Sequence, residues 1–537
     1  MPCSMSPQPN DGSGRAPVAI VRPTTSVTSG VAVTQKLVSA AVAFGNLLKG
    51  TFGPNGLDKM LYKTNGETAV TNDGAKIVAE LLVKHPAAKA FVQLAESQEN
   101  ACGDGVTGCI IFASELMRES GVLLEKNLHP LVLVNGYQAA MQQTSMLLEN
   151  NCTTVSIEDS AMLESVAVTA MTGTSVESVA DILAKLVVRA AQHVAQFDDE
   201  GHLVNTELVR MAKRGTGSLS DTKLVKGIII DKNLDLEKLP RKLDGGKVVV
   251  FSCPLEIEKT SYDAEIEIST TEQWTSFMSA EEEILNHKAR QIIDSGAKMV
   301  FSAETIDARI MHQLADNGIC ALASMDKSGA EDVALATGAL LIDHVDSIDE
   351  QTLGEFELMM VETLDSAEGL RDRLYLEVGE NSGLTTIDVY GGGGASSEEF
   401  VRGLYDALNS VAKSIESGFV LCGGGNAHIT AALGIREYAE SIAGRERLAI
   451  EGFARALESI PTSLIANSGN NMLDGLLELR SAIRLNKENY GINTDGKAAE
   501  LENVWECADT VFHALEAACE TACGLLRVDQ VISARGD

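Results

Sequence analysis

Residues 103–117 read Gly103-Asp104-Gly105-Val106-Thr107-Gly108, then Cys109-Ile110-Ile111-Phe112-Ala113-Ser114-Glu115-Leu116-Met117. Three glycines in six residues permit positive φ and let backbone N–H groups approach a ligand with no Cβ between them. The apolar run that follows predicts the start of a buried helix. A glycine turn opening a helix gathers free N–H donors at the positive end of the dipole, which suits a phosphate. Asp104, inside that turn, is then a natural partner for the Mg²⁺ that accompanies nucleotide phosphates. Taken alone, a glycine-bracketed aspartate is an ordinary turn, and the flanking sequence has to decide.

Upstream, residues 1–25 carry Pro, Ser, Gly and Asn with little periodicity and read as a loose arm. Apolar residues recur at helical spacing from Val31 to Leu48, and Gly50 ends that helix. A second glycine-bracketed loop follows, Thr51-Phe52-Gly53-Pro54-Asn55-Gly56-Leu57-Asp58-Lys59-Met60. Thr71-Asn72-Asp73-Gly74 then gives a turn with another carboxylate, leading into a helical Ala75-Lys76-Ile77-Val78. His85-Pro86 starts the helix that delivers the chain to the central glycine loop.

Composition narrows the classes. A chain of 537 residues exceeds one compact core, so two to four domains are expected. Hydrophobic content of 45% with 22% charged residues describes a globular protein, not a disordered one. With 43 basic against 76 acidic residues the net charge is −33, which argues against nucleic acid or an anionic membrane as partner. Ten cysteines show no CxxC pair and no zinc spacing, so they read as small buried residues of a reducing compartment. No apolar run reaches transmembrane length and no targeting signal stands at the N-terminus, so the cytoplasm is the expected location.

The segments TFGPNGLDKM, VTNDGAKIV, KHPAAK and GDG, in this order and at these spacings, resemble the equatorial domain of group II chaperonins, the thermosome and the cytosolic chaperonin of eukaryotes. Pro254-Leu255-Glu256-Ile257-Glu258-Lys259-Thr260 is similar to the family's entry to its apical domain. Cys422-Gly423-Gly424-Gly425 and the segment from Arg436 to Pro461 resemble its returning equatorial half, and Leu526-Arg527-Val528-Asp529-Gln530-Val531-Ile532 its final strand. The resemblance covers essentially the whole chain after residue 25. It implies a multidomain α and α/β chaperonin fold with a nested order. A helical equatorial domain spans 26–150 and 405–537, and a small α+β intermediate domain spans 151–221 and 370–404. A βα apical domain spans 222–369. Residue character agrees, since runs such as Gly227-Ile228-Ile229-Ile230, Val248-Val249-Val250-Phe251, Lys298-Met299-Val300-Phe301 and Ala339-Leu340-Leu341-Ile342 alternate with helical stretches in the middle third.

The resemblance also implies a site for ATP with Mg²⁺. Asp104 takes the metal-ligand position, and Asp73 the place of a carboxylate near the terminal phosphate and attacking water. Asp406, in Gly403-Leu404-Tyr405-Asp406-Ala407-Leu408, takes the catalytic position. Thr51, Gly53, Pro54 and Gly56 form a loop against the phosphates, with Gly103, Gly105, Val106, Thr107 and Gly108. Gly424 and Gly425 lie near the ribose, and Gly491-Ile492-Asn493 lines the adenine pocket. Hydrolysis needs neutralised phosphate charge and a positioned water, for which aspartates of ordinary pKa suffice.

The chain departs from the family at three places. Its loop reads Val106-Thr107-Gly108 where consecutive threonines are usual. The family lysine that senses the γ-phosphate is replaced by Thr174, in Thr169-Ala170-Met171-Thr172-Gly173-Thr174. Lys76 is then the residue expected to supply that charge from another direction. The late acidic position falls at Leu501, between Glu500 and Glu502, and stays unassigned. Loss of one charge-assisted phosphate contact costs about 1.5–3 kcal/mol.

Between residues 263 and 290 the chain resembles the helical protrusion that serves the family as a built-in lid. Trp274, Phe277 and Met278 share a helix face there, an expected surface for unfolded polypeptide or a neighbouring lid. The resemblance implies an ATP-dependent chaperone subunit in a homo- or hetero-oligomeric double ring, with non-native polypeptides as partners. Two alternatives stay open: a weakly or non-hydrolysing holdase subunit of mixed rings, and a metabolic ATP-using α/β enzyme.

Overall fold

The computed structural model describes residues 26–62, 68–81, 85–198, 201–257, 270–366, 369–391, 395–485 and 489–533. Both ends of the chain build one helical body. Helices Val31–Lys49, Pro86–Cys102, Val106–Glu125 and Pro130–Glu149 share a core with Asn426–Ser441, Glu446–Leu457 and Ala508–Leu526. Pro86 and Pro130 stand in first turns, where a missing N–H costs nothing, and the preceding histidines cap them. His85 Nδ1 accepts from Ala87 N at 3.3 Å, and His129 Nδ1 from Leu131 N at 3.2 Å. Phe112 meets Phe453 edge-on at 5.3 Å, tying the two chain halves together. Ser26–Ser29 pairs antiparallel with Gln530–Ser533. The final strand is thus shorter than expected. Leu525 and Leu526 stay in the helix because both are buried in its core.

A smaller body packs helices Ser160–Met171, Ala180–Val194 and Ala395–Ser417 on a three-stranded sheet of Val209–Lys213, Thr385–Val389 and Lys223–Val225. The third body carries a seven-stranded sheet. Lys242–Phe251, Ala297–Ser302 and Cys320–Leu322 run parallel, as the βα alternation predicts. Gly354–Ser366, Gly369–Glu377 and Gly227–Asp231 extend it antiparallel. The expected boundary at 369/370 therefore cuts a hairpin, and the sheet keeps residues 369–377. The boundary at 404/405 likewise falls inside the unbroken helix Ala395–Ser417.

Residues 263–269 of the proposed protrusion, and 258–260 of the entry motif, lie outside the described residues. From Thr271 to Asp294 the chain is one helix, anchored at its C-terminal half by buried Leu285, Ala289 and Ile292. Trp274, Phe277 and Met278 are exposed, as are all other residues from 271 to 280. That half of the helix buries no face at all.

The two sheets meet at a charged junction. Arg373, from the larger sheet, is 2% exposed and binds Asp231 twice, at 2.5 and 2.7 Å, and Asp388 of the smaller sheet at 2.8 Å. The other Asp388 oxygen accepts from the Tyr375 hydroxyl at 2.9 Å, and Arg214 reaches the Glu362 carboxylate and both Tyr375 and Tyr390. Removing one partner of such a buried pair leaves an unpaired charge. Arg373→Met should lower stability to urea by roughly 3–5 kcal/mol, and adding Asp388→Leu should recover much of it. Equal losses in the single and double variants would show that the pair is not the source.

Candidate nucleotide site

The glycine loop is shaped by its own backbone. Gly103 (φ 65°) closes helix Pro86–Cys102 and Gly105 (φ 82°) opens helix Val106–Glu125, both left-handed. Between them the Asp104 carbonyl accepts from Gln98 Nε2 at 2.8 Å. Its carboxylate accepts from Gly105 N at 2.6 Å and from Ser410 Oγ at 2.7 Å. Asp73 caps helix Gly74–Glu80, accepting from Ala75 N at 2.9 Å and Lys76 N at 3.3 Å, and forms an ion pair with Arg402. Asp406 completes the group from helix Ala395–Ser417. Glu399, Arg402, Asp406 and Ser410 follow one another at three- and four-residue spacing, on one face of that helix. Its opposite face buries Leu404, Ala407, Leu408 and Val411.

These side chains line one cavity of about 530 Å³. Of the residues expected from the sequence, Thr51, Gly53, Pro54, Asp73, Asp104, Gly105, Val106, Thr107, Gly108, Asp406, Gly424, Gly425, Ile492 and Asn493 line it. Gly56 and Gly103 are not among its lining residues. The glycines have a different reason from the one expected. A Cβ on Gly424 would strike Leu501 and the Ile492 backbone, on Gly425 it would strike Pro461, and on Gly53 Leu464. Positive φ and close protein packing require them, before any ligand does.

Electrostatics set the site apart. Burial, then the neighbouring Asp104, Asp73 and Glu99, hold the Asp406 carboxyl well above the ordinary aspartate range, with Arg402 acting against this. Burial also raises Asp104, opposed by its bonds from Ser410 and Gly105. An ordinary aspartate pKa is therefore not what the fold delivers. Glu506, from the strand beside Gly423, is pushed up to about 7 by burial and by Asp104. It is a half-buried carboxylate of the late segment, five positions beyond Leu501, and was missed because its place depends on strand pairing.

Arg402 was missed as well. Among the described lining residues it is the single arginine or lysine, against the carboxylates of Asp73, Glu99, Asp104, Glu399, Asp406, Glu500, Glu502 and Glu506. Lys76 does not line the cavity; it faces Glu399 at 3.9 Å. Its expected role is therefore not supported by its position. The helical spacing of Arg402 from Asp406 was the available signal.

Buried Arg402 Nε, Glu399 Oε2 and His428 Nδ1 have no hydrogen-bond partner within the protein, as expected of a cavity that receives polar groups. Carboxylate and hydroxyl oxygens suit a hard divalent cation. No three His, Cys, Asp or Glu side chains among the described residues already form a metal cage. Two hydrogen bonds fix the Asp104 carboxylate on the cavity wall.

The sequence profile of the TCP-1/cpn60 chaperonin family matches residues 44–536. The chain belongs to that family. It is 36% identical to a thermosome subunit of Methanopyrus kandleri over 501 residues, covering 93% of this chain and 91% of the relative. It is also 36% identical to the thermosome subunit alpha of Archaeoglobus fulgidus over 523 residues (97% and 95%), and 36% to a thermosome subunit of Methanocaldococcus jannaschii over 488 (90% and 89%). Relatives of this kind, over this length, make the chain a group II chaperonin subunit of thermosome type, a chaperone; neither alternative is favoured. Among the described residues, no helix is long and apolar enough to cross a membrane.

Glu506 gives the chaperonin a pH signature. A carboxyl whose folded pKa is raised binds its proton more tightly than in the unfolded chain. Its contribution is fully present below the ordinary glutamate pKa and is lost as pH rises to about 7. Without nucleotide, stability should fall between pH 5 and 7.5, and Glu506→Gln should flatten that fall. An unchanged slope would place the proton elsewhere.

Proposed function

We propose that the cavity binds ATP with Mg²⁺ and hydrolyses it, and that hydrolysis drives closure of the lid over non-native polypeptide in a cytoplasmic double ring. The observation that carries this reading is the meeting of Asp73, Asp104 and Asp406 on one cavity beside a glycine loop that opens a helix. The first-turn N–H groups of helix Val106–Glu125 and the hydroxyl of Thr107 receive phosphate oxygens. Mg²⁺, when bound, neutralises phosphate charge. Asp104 would hold the metal, Asp73 faces the terminal phosphate, and Asp406 orients the attacking water; as the water oxygen bonds to the terminal phosphorus, the bond from that phosphorus to the bridging oxygen breaks, the diphosphate leaves, and Asp406 takes up the water's proton. Loss of phosphate contacts then moves helix Ala395–Ser417, which carries Asp406 on one face and the smaller body's core on the other. The exposed half-helix with Trp274, Phe277 and Met278 offers the apolar surface for client chains or neighbouring lids.

Asp406→Ala should retain nucleotide binding and lose at least about 100-fold in steady-state turnover of the assembled particle. Equal turnover in wild type and variant would overturn the assignment, and a monomer by sizing would overturn the ring. Replacing Trp274, Phe277 and Met278 together by serine should reduce retention of a chemically denatured protein in a sizing assay. Unchanged retention would move the client surface elsewhere.

A further inference from the structure

We infer that Arg402 supplies the positive charge met by the terminal phosphate of a bound nucleoside triphosphate, and so makes this site prefer triphosphate to diphosphate; the inference rests on the nucleotide reading above. A triphosphate brings one more negative charge than a diphosphate into a cavity already lined by carboxylates. Mg²⁺ offsets charge for both nucleotides, so the discrimination needs a further cation placed at the end of the chain of phosphates. Arg402 is the candidate the cavity holds.

Its geometry fits the task. A guanidinium presents five N–H donors in a planar fork, suited to two phosphate oxygens at once. Arg402 donates from one terminal nitrogen to Asp73, while its buried Nε makes no hydrogen bond and pairs only loosely with Glu399 Oε2, 4.0 Å away. Asp73 accepts from two backbone N–H groups as well, so it stays satisfied if the guanidinium turns to phosphate. Arg402 precedes Asp406 by one helical turn, which sets the charge beside the carboxylate assigned to the water.

Among the described residues, the cavity's lining holds no other lysine or arginine. Lys76 is held against Glu399 outside the cavity. Thr174 donates its hydroxyl to Met171 O at 2.6 Å and stands against Gly403, where a Cβ would meet Thr174 Oγ1 at 3.3 Å. Position 174 therefore adjoins the residue after Arg402 and lines the same cavity, so a lysine introduced there is near the same space.

The chain's two tryptophans are Trp274 and Trp505, and Trp505 lines the cavity. In a Trp274→Phe background, Trp505 fluorescence of the assembled particle can be titrated with ATP and with ADP, each with Mg²⁺. Arg402→Gln should weaken ATP about 10- to 100-fold, the range of one charge-assisted phosphate contact, and leave ADP nearly unchanged. Adding Thr174→Lys to Arg402→Gln should restore most of the ATP affinity. Equal weakening of ATP and ADP, or no change in either, would overturn the inference and leave Arg402 as a clamp on Asp73. Failure of Thr174→Lys to restore ATP binding would do the same. If Arg402→Gln does not assemble, Arg402→Lys takes its place: selective weakening of ATP supports the inference, and equal weakening overturns it. A wild-type particle that binds neither nucleotide would sink the nucleotide reading itself.

Discussion

Like-charge repulsion in a buried space is the constraint on which this molecule depends. Burial, and then the neighbouring carboxylates, raise the proton affinity of Asp104, Glu99 and Asp406, because three separate stretches of chain bring them and Asp73 to one cavity. Such a cluster is costly to maintain unless cations balance it. Arg402 supplies one charge permanently. The rest of the balance comes from protons or from a metal, so the site's ionisation follows what it holds. That makes the cavity a point where binding energy can be turned into a preference between arrangements.

Helix Ala395–Ser417 connects this point to the rest of the fold. One face places Glu399, Arg402, Asp406 and Ser410 at the cavity, and the other sits in the core of the smaller body. A side-chain contact adds to the coupling: Asn72 Nδ2 donates to Gly173 O at 2.5 Å, joining the Asp73 turn to the loop that holds Thr174. Beyond the smaller body, the Arg373–Asp388–Asp231 junction fixes the larger sheet to it. These contacts join the helix to both bodies through close packing and hydrogen bonds.

What could be read from the residues followed from what is local. Glycine loops, proline starts and the helical period of Val31–Leu48 are set within a few residues, and the structure realises them. The carboxylates Asp73, Asp104 and Asp406 were legible through motif order. Arg402, Glu506 and Glu99 were not, because each reaches the cavity only after elements distant in sequence have packed. The misplaced boundary at 369/370 has a similar origin. Two strands of one hairpin pair there, Ser366 opposite Gly369, and a change of composition stood in for a change of body. Leu526 went to the wrong element because an apolar run reads alike as helix end or strand start.

The most direct test is a density map of the assembled particle with Mg²⁺ and a non-hydrolysable ATP analogue. The account predicts phosphate density against the glycine loop at Gly105–Gly108, a metal on Asp104, and the Arg402 guanidinium at the terminal phosphate. Nucleotide bound away from this cavity, or a metal held without Asp104, would contradict it.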